Sequence, residues 1–169
     1  PRIHLYMNFD RPLSAAELSD FKKAFQRRLA HEPLQYIIGE SEFMGIPLFV
    51  NSSVLIPRPE TEELVLKVVD WLRLRATGRV ELLDIGTGSG NIPIALERFA
   101  PNAFVDSIDV SAEALGVASR NIERHQCSRI ALHQQDVFGE VLPGRRFDAI
   151  VANPPYISRE EFVILQPEV

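Results

Sequence analysis

The sequence of 169 residues is poor in cysteine, with Cys127 alone, and aromatic residues make up only 8% of it. A single cysteine excludes an internal disulfide framework and a cysteine-rich zinc site, and it is typical of a reducing, cytoplasmic location. No apolar run approaches the roughly 18 residues of a membrane-spanning helix, so we predict no membrane span. Histidines are scattered without metal-ligand spacing, so we predict no metal site. They are His4, His31, His125 and His133.

Positive charge is also scarce, because 18 Lys and Arg residues stand against 23 Asp and Glu residues, for a formal net charge of −5. Proteins that bind nucleic acid neutralise phosphates with clustered Lys and Arg side chains. The acidic balance therefore argues against nucleic acid as a partner. The hydrophobic share of 46% and the charged share of 24% are those of an ordinary globular protein.

The first part of the chain predicts one helix and then a connector. Ser14 and Glu17 form a capping box, and apolar residues at helical spacing extend the pattern over 14–30. From Leu34 to Ile56, short β-prone runs alternate with Gly and Pro, which indicates a hairpin-like connector. The runs are Tyr36-Ile37-Ile38, Phe43-Met44 and Leu48-Phe49-Val50.

The rest of the chain alternates between helix and strand patterns. A helix begins at the Pro57 to Glu60 segment, with Leu64, Val68, Trp71 and Leu72 as its predicted apolar face. Strands at 80–85, 103–109, 129–134 and 147–152 follow, with helices at 92–99 and 111–125. Strand and helix units of this length predict an α/β fold with a parallel sheet and right-handed crossovers.

A glycine-rich loop lies directly after the first predicted strand of this sheet. It follows Asp84 and contains Gly86, Thr87, Gly88, Ser89 and Gly90. Open α/β sheets bind ligands at this edge, where glycines allow close approach to the backbone. Neither the dinucleotide fingerprint nor the P-loop fits the spacing, and the loop alone is also compatible with a tight turn.

Two acidic residues follow the next two strands. Asp109 closes the second strand, where a carboxylate can accept hydrogen bonds from ribose hydroxyls. Asp136 follows the third, where it can meet an adenine amino group beside the apolar Val137. The alternative is that both acids cap the turns that follow them. A glycine loop with two acids at successive strand ends favours a nucleoside ligand.

This pattern resembles the S-adenosylmethionine-dependent methyltransferases with a Rossmann-like fold. The resemblance implies that Asp84 and the loop Gly86 to Gly90 hold the methionine part of S-adenosylmethionine. It also implies that Asp109 holds the ribose and that Asp136 and Val137 flank the adenine.

Asn153-Pro154-Pro155-Tyr156 follows the fourth strand and fits a planar nitrogen that carries two hydrogens. The Asn153 side-chain oxygen and the Pro154 main-chain oxygen can each accept one N–H, and the Tyr156 ring can pack over the planar group. An amide nitrogen is a weak nucleophile because its lone pair is delocalised. Orientation toward an electrophilic methyl group can contribute up to about 7–11 kcal/mol. The motif alone also suits a turn that leaves a strand.

The segments upstream, taken together with the motif at Asn153, resemble the HemK/PrmC-type protein-(glutamine-N5) methyltransferases. These segments run from Pro33-Leu34-Gln35-Tyr36 through Pro57-Arg58-Pro59-Glu60-Thr61-Glu62. The resemblance implies methylation of the glutamine in the Gly-Gly-Gln motif of peptide chain release factors, with S-adenosylhomocysteine as product. It implies three parts: the end of an N-terminal helical domain (1–32), a β-hairpin connector (33–56) and a methyltransferase domain (57–169).

Three expectations remain open at this point. The family's sheet is larger than the four strands predicted here, so we expect a fragment with an incomplete sheet. The same Asn-Pro-Pro-Tyr motif is shared with enzymes that methylate exocyclic amines of adenine or guanine in DNA or RNA, and a non-catalytic cofactor-binding fragment is a further alternative. Arg58, Glu60 and Thr61 form a hypothesis of their own, as residues that shape the substrate or cofactor mouth of the site; the alternative is that Glu60 only favours the helix N-terminus.

Overall fold

The computed structural model describes residues 3–75, 78–139 and 141–154. The predictions for Pro155, Tyr156 and everything after them lie outside the described residues. The helices are α1 (Ile3–Met7), α2 (Ala15–Leu29), α3 (Leu34–Ile38), α4 (Pro59–Arg75), α5 (Asn91–Phe99) and α6 (Ala112–Arg124). The strands are β1 (Glu40–Phe43), β2 (Ile46–Phe49), β3 (Val80–Ile85), β4 (Ala103–Asp109), β5 (Ile130–Gln134) and β6 (Ala149–Ala152).

Helix α2 begins at the capping box that the sequence predicts. The Glu17 backbone N–H donates to Ser14 Oγ, and the Ser14 N–H donates to the Glu17 carboxylate at 2.8 Å. No side chain of α2 is buried. Its apolar stripe is exposed, and within it the rings of Phe21 and Phe25 stack with centroids 6.1 Å apart. Polar contacts from Arg27 to Glu32 and to α3 carbonyls hold α2 against the next helix.

The connector is half helix and half hairpin, so the prediction of a β-type run at Tyr36-Ile37-Ile38 is wrong. These residues lie in α3, because Pro33 precedes the helix with extended dihedrals and Gly39 ends it in the left-handed conformation, at φ +78°. The later runs do form strands, and β1 pairs with β2 in an antiparallel hairpin. Helix α1 was not predicted from the sequence.

The four remaining strands form a parallel sheet in the order β5-β4-β3-β6. The chain moves outward from β3 to β4 and β5, and then returns to the opposite side of β3 for β6. The strand order therefore reverses at β3, and this is the place where open α/β sheets bind ligands. The four strands lie within about two residues of their predicted positions, because buried strands give continuous apolar runs.

One core joins α4, α5 and one face of the sheet, and the hairpin contributes Phe43, Ile46 and Leu48 to it. The buried stripe of α4 consists of Thr61, Val65, Val69 and Leu72, so only Leu72 of the predicted apolar face is buried. Leu64, Val68 and Trp71 flank that stripe and are only partly buried. None of the helices in the described part of the chain is both long and apolar enough to cross a membrane.

Leu82 offers a test of this core, since it lies fully buried in the central strand β3. We expect Leu82→Ala to lower the free energy of unfolding by about 2–5 kcal/mol, through lost apolar burial and the cavity it leaves. Leu74→Ala is the matched control, because Leu74 is 87% exposed. Urea denaturation measures both variants, and equal losses would contradict the assignment of the core.

Candidate functional site

The predicted site residues lie at one edge of the sheet, in an order set by strand pairing. Ile85 of β3 pairs with Ala152 of β6, so Gly86 and Asn153 leave neighbouring strands side by side. On the other side of β3, Asp109 ends β4 and pairs with Gln134 of β5. Asp136 follows β5 two residues later. Four adjacent strand ends therefore bring the predicted residues to a common edge.

The three glycines of the loop have different structural roles. All adopt positive φ, with values of +77° at Gly86, +53° at Gly88 and +79° at Gly90. A Cβ added at Gly86 or Gly88 would meet no atom within 4 Å, so these positions face open space. A Cβ at Gly90 would come within 3.3 Å of the Ala118 Cβ, so Gly90 allows α6 to pack closely. Gly86 and Gly88 thus leave backbone accessible to a ligand.

The two acids form the turn-capping bonds that the alternative predicts, and Asp109 makes a further bond. Ser111 N–H donates to Asp109 at 3.0 Å, and Phe138 N–H donates to Asp136 at 2.9 Å. The other oxygen of Asp109 accepts the Gly88 N–H at 2.9 Å, which holds the glycine loop against β4. Asp136 and Val137 are both exposed. The capping bonds leave lone pairs on both carboxylates for further donors.

Asp84 lies beneath the glycine loop and is fully buried. Among the described residues, neither of its oxygens has a hydrogen-bond partner of good geometry, nor do the hydroxyls of Thr87 and Ser107. Burial raises the pKa of Asp84 to about 7, the neighbouring Thr87 and Ser107 hydroxyls oppose that rise, and the charge of Asp109 adds to it. Asp84, Thr87 and Ser107 therefore form a buried polar cluster where β3 leads into the loop.

Asn153 is tied to helix α4, which the sequence does not place near it. Its Nδ2 donates to Thr61 Oγ1 at 2.8 Å, and Thr61 is only 5% exposed. Arg58 and Glu60, the other residues of that hypothesis, line a cavity of about 630 Å³ together with residues 33–36. The segment before Thr61 therefore borders a cavity, while Thr61 itself contacts the Asn-Pro-Pro-Tyr motif.

Two residues outside the predicted set complete the description. Asn121 of α6, which the sequence pattern did not indicate, is fully buried and hydrogen-bonded to the glycine loop. Its spacing in the sequence could have indicated that it is buried, because it falls on the same helical face as the buried Ala114, Val117 and Ala118.

The cysteine is a second residue outside the predicted set. Burial, with the charge of Glu97, raises the pKa of the Cys127 thiol to about 11, so this thiol is not an activated nucleophile.

A parallel sheet that reverses at β3, with a glycine loop and acids at its carboxyl edge, defines a Rossmann-like α/β ligand-binding fold. Within that class, the model of the methyltransferase small domain matches residues 65–165. The chain belongs to this family. The model of the PrmC N-terminal domain matches residues 1–39.

The similarity to curated proteins extends over nearly the whole chain. The release factor glutamine methyltransferase of Geobacter sulfurreducens is 45% identical, over 99% of this chain and 57% of that protein. The enzyme of Chlorobaculum tepidum is 44% identical, over 99% of this chain and 60% of that protein. The enzyme of Bacillus subtilis is 39% identical, over 97% of this chain and 58% of that protein. The predicted resemblance to the HemK/PrmC-type enzymes is thereby confirmed. The chain spans less than two thirds of these relatives.

Solved structures agree with the fold. The ribosomal protein L11 methylase of Lactobacillus delbrueckii subsp. bulgaricus aligns with a TM-score of 0.50 and 25% identity, over 62% of this chain and 51% of that one. The delta-N METTL16 MTase domain aligns with a TM-score of 0.53 and 20% identity, over 80% of this chain and 61% of that domain. These likenesses confirm the predicted α/β methyltransferase fold.

The raised pKa of Asp84 predicts a specific pH dependence of stability. The folded protein holds the Asp84 proton up to about pH 7, whereas an unfolded carboxyl releases it near 3.8. Stability contributed by the neutral form is therefore lost as pH rises from 4 to 7. The Asp84→Asn variant has no carboxyl to titrate at this position. We therefore expect its free energy of unfolding, minus that of the wild type, to increase from pH 4 to 7 and then to stay constant. Urea unfolding at pH 4.5, 6 and 7.5 measures it, and a constant difference would refute the assignment.

Proposed function

We propose that this chain carries the catalytic centre of an enzyme that methylates the side-chain amide of a glutamine in peptide chain release factors. Its methyl donor is S-adenosylmethionine, and its target is the glutamine of the Gly-Gly-Gln motif. The observation that carries the proposal is the position of Asn153 beside the glycine loop, at the strand reversal. The names of the relatives support the choice of substrate.

The loop and its neighbours fit the proposed cofactor. Gly86 and Gly88 leave open space above the backbone, so a ligand can approach the loop closely. Asp109 is fixed by two N–H donors, and its remaining lone pairs suit the two hydroxyls of a ribose. Asp136 and Val137 are exposed at the next strand end, where they suit an adenine. When bound, S-adenosylmethionine supplies a methyl group on a positively charged sulfur.

Asp84 contributes in a different way from the surface residues. Because it is fully buried, it supports the cofactor surface through the loop above it, together with Thr87 and Ser107. Thr87 and Ser89 are each only 2% exposed, and the Thr87 N–H and carbonyl are both bonded within the protein, so these two residues support that surface from beneath. Gly90 contributes by allowing α6 to lie close to the loop.

Asn153 and Pro154 orient the substrate. The bond from Asn153 Nδ2 to Thr61 fixes the plane of the Asn153 amide, and the Oδ1 of that amide accepts one N–H of the glutamine side chain. The Pro154 carbonyl accepts the other N–H, and Pro155 stiffens the segment that Tyr156 follows. These acceptors also stabilise positive charge that develops on the nitrogen. The nitrogen loses its proton readily once it is alkylated, so no strong general base is required.

The same proposal assigns a role to each segment of the chain. Residues 1–32 belong to a helical part, 33–56 connect it to the catalytic part, and 57–169 belong to the catalytic part. Release factors act on ribosomes, so we propose that the enzyme works in the cytoplasm. The net charge of −5 favours a protein substrate over nucleic acid.

The direct test is a transfer assay with methyl-labelled S-adenosylmethionine, run on the chain and on the longest natural protein that contains its sequence. The substrates are a release factor, the same factor with its Gly-Gly-Gln glutamine changed to alanine, and a panel of DNA and RNA. We expect label on the intact factor only. Label on nucleic acid, or equal label on both factors, would overturn the proposal.

Asn153→Ala separates catalysis from cofactor binding. We expect the rate of methyl transfer to fall by about a hundredfold or more, because the nitrogen loses an acceptor that stabilises its developing charge. The affinity for S-adenosylhomocysteine, measured by calorimetry, should change far less. Comparable losses of rate and affinity would show that Asn153 belongs to the cofactor surface instead.

Thr61→Val tests the support of Asn153, since valine keeps the shape of threonine and removes the hydroxyl. We expect a loss of about tenfold in kcat, corresponding to one buried hydrogen bond, with KM for the release factor nearly unchanged. Thr61→Ser retains the hydroxyl and is the matched control. A serine variant as slow as the valine variant would assign the effect to packing rather than to the hydrogen bond.

A further inference from the structure

Asn121 is a polar side chain in a position where the helix pattern calls for an apolar one. It lies on the buried face of α6 and is fully inaccessible to solvent. Burial of an amide costs free energy unless its donors and acceptor are all bonded. An Asn at such a position therefore implies partners, and the partners of Asn121 lie in two separate parts of the chain.

The first partner is the hairpin. Asn121 Oδ1 accepts the Phe49 backbone N–H at 2.7 Å, and Asn121 Nδ2 donates to the Phe49 carbonyl at 2.9 Å. The amide thus pairs with Phe49 of β2 much as a neighbouring strand would. The second hydrogen of Nδ2 goes to the Ser89 carbonyl in the glycine loop, at 2.8 Å. One side chain joins segments 72 and 32 residues away in sequence.

The bond to Ser89 fixes a peptide plane of the glycine loop. The carbonyl of Ser89 and the N–H of Gly90 belong to the same planar unit and point in opposite directions. That N–H donates to the Thr87 carbonyl at 2.8 Å, inside the loop. Holding the Ser89 carbonyl therefore also holds the loop's internal hydrogen bond. Asn121 therefore contributes to the orientation of the Ser89–Gly90 peptide, in addition to the bond by which Asp109 holds Gly88.

Other contacts between α6 and the hairpin do not reach the loop. The Arg120 guanidinium lies 3.7 Å from the centre of the Phe49 ring, Arg124 pairs with Glu40 at 2.6 Å, and His125 Nε2 bonds to the Pro47 carbonyl at 2.8 Å. These contacts attach the hairpin to α6. Among the contacts described along α6, the Asn121 amide connects hairpin and loop through a single group.

We propose that Asn121 is a positioning residue that couples the β1-β2 hairpin to the cofactor loop, so that binding of the cofactor product at the loop stabilises the hairpin. The inference rests on the proposed function, because it requires a cofactor of the S-adenosylmethionine type at the glycine loop. It adds a path from that loop to the connector. By linkage, if the bound cofactor product stabilises the closed hairpin by some factor, closure of the hairpin raises the affinity for that product by the same factor.

The first experiment uses the unaltered chain. Hydrogen exchange of the Phe49 amide is followed by NMR with and without saturating S-adenosylhomocysteine. We expect exchange at Phe49 to slow at least tenfold on binding, whereas the Leu18 amide of α2, which lies outside the hairpin and donates to the Ser14 carbonyl, changes less than twofold. Binding of S-adenosylhomocysteine without slower exchange at Phe49 would overturn this proposal and leave the proposed function in place. A chain that fails to bind S-adenosylhomocysteine would overturn both.

The second experiment compares variants. Asn121→Ala and Asn121→Asp each lose the donor to Ser89, and Asp retains the acceptor for Phe49. We expect both to weaken S-adenosylhomocysteine binding at least tenfold by calorimetry. His125→Ala is the matched control, because His125 follows α6 directly and contacts the hairpin without reaching the loop, and the affinity of this variant should stay within twofold. Equal losses in the control and in the Asn121 variants would assign the effect to general stability of α6.

Discussion

The strand reversal at β3 is the constraint on which the rest of the site depends. Because β3 pairs with β4 on one side and with β6 on the other, the loops that follow these strands leave the sheet at the same edge. Asn153, Gly86 and Asp109 lie close together because the strands that they follow or end are neighbours in the sheet. The site is therefore a product of backbone hydrogen bonding and crossover handedness before any particular side chain contributes.

Within this arrangement, buried and half-buried polar groups fix the loops of the site by hydrogen bonds. Thr61 holds Asn153, Asp109 holds Gly88, and Asn121 holds Ser89, each by a hydrogen bond of 2.8 or 2.9 Å. Such bonds are directional, so they set the orientation of backbone and amide groups that apolar contacts would leave variable. Asp84 is the exception, since its carboxyl is buried with hydroxyls nearby but without a bond of good geometry.

The sequence predicted the sheet and its edge well, because both follow from local pattern. Continuous apolar runs indicate β3 and β4, and residues at strand ends must meet at one edge. The sequence could not predict contacts between distant segments, such as that of Thr61 with Asn153 or of Asn121 with Phe49, since no local pattern encodes them. The run at 36–38 was wrongly assigned because β-branched residues also fit a short helix when Pro33 and Gly39 bound it.

The exposed stripe of α2 has a consequence for how the molecule comes apart. Since α2 buries no side chain, its fifteen residues add almost nothing to the cooperative core of the sheet. They are attached through the guanidinium of Arg27, whose bonds reach Glu32 and α3 carbonyls. We therefore expect α2 to open at a lower free energy than the methyltransferase sheet, which buries most of the core.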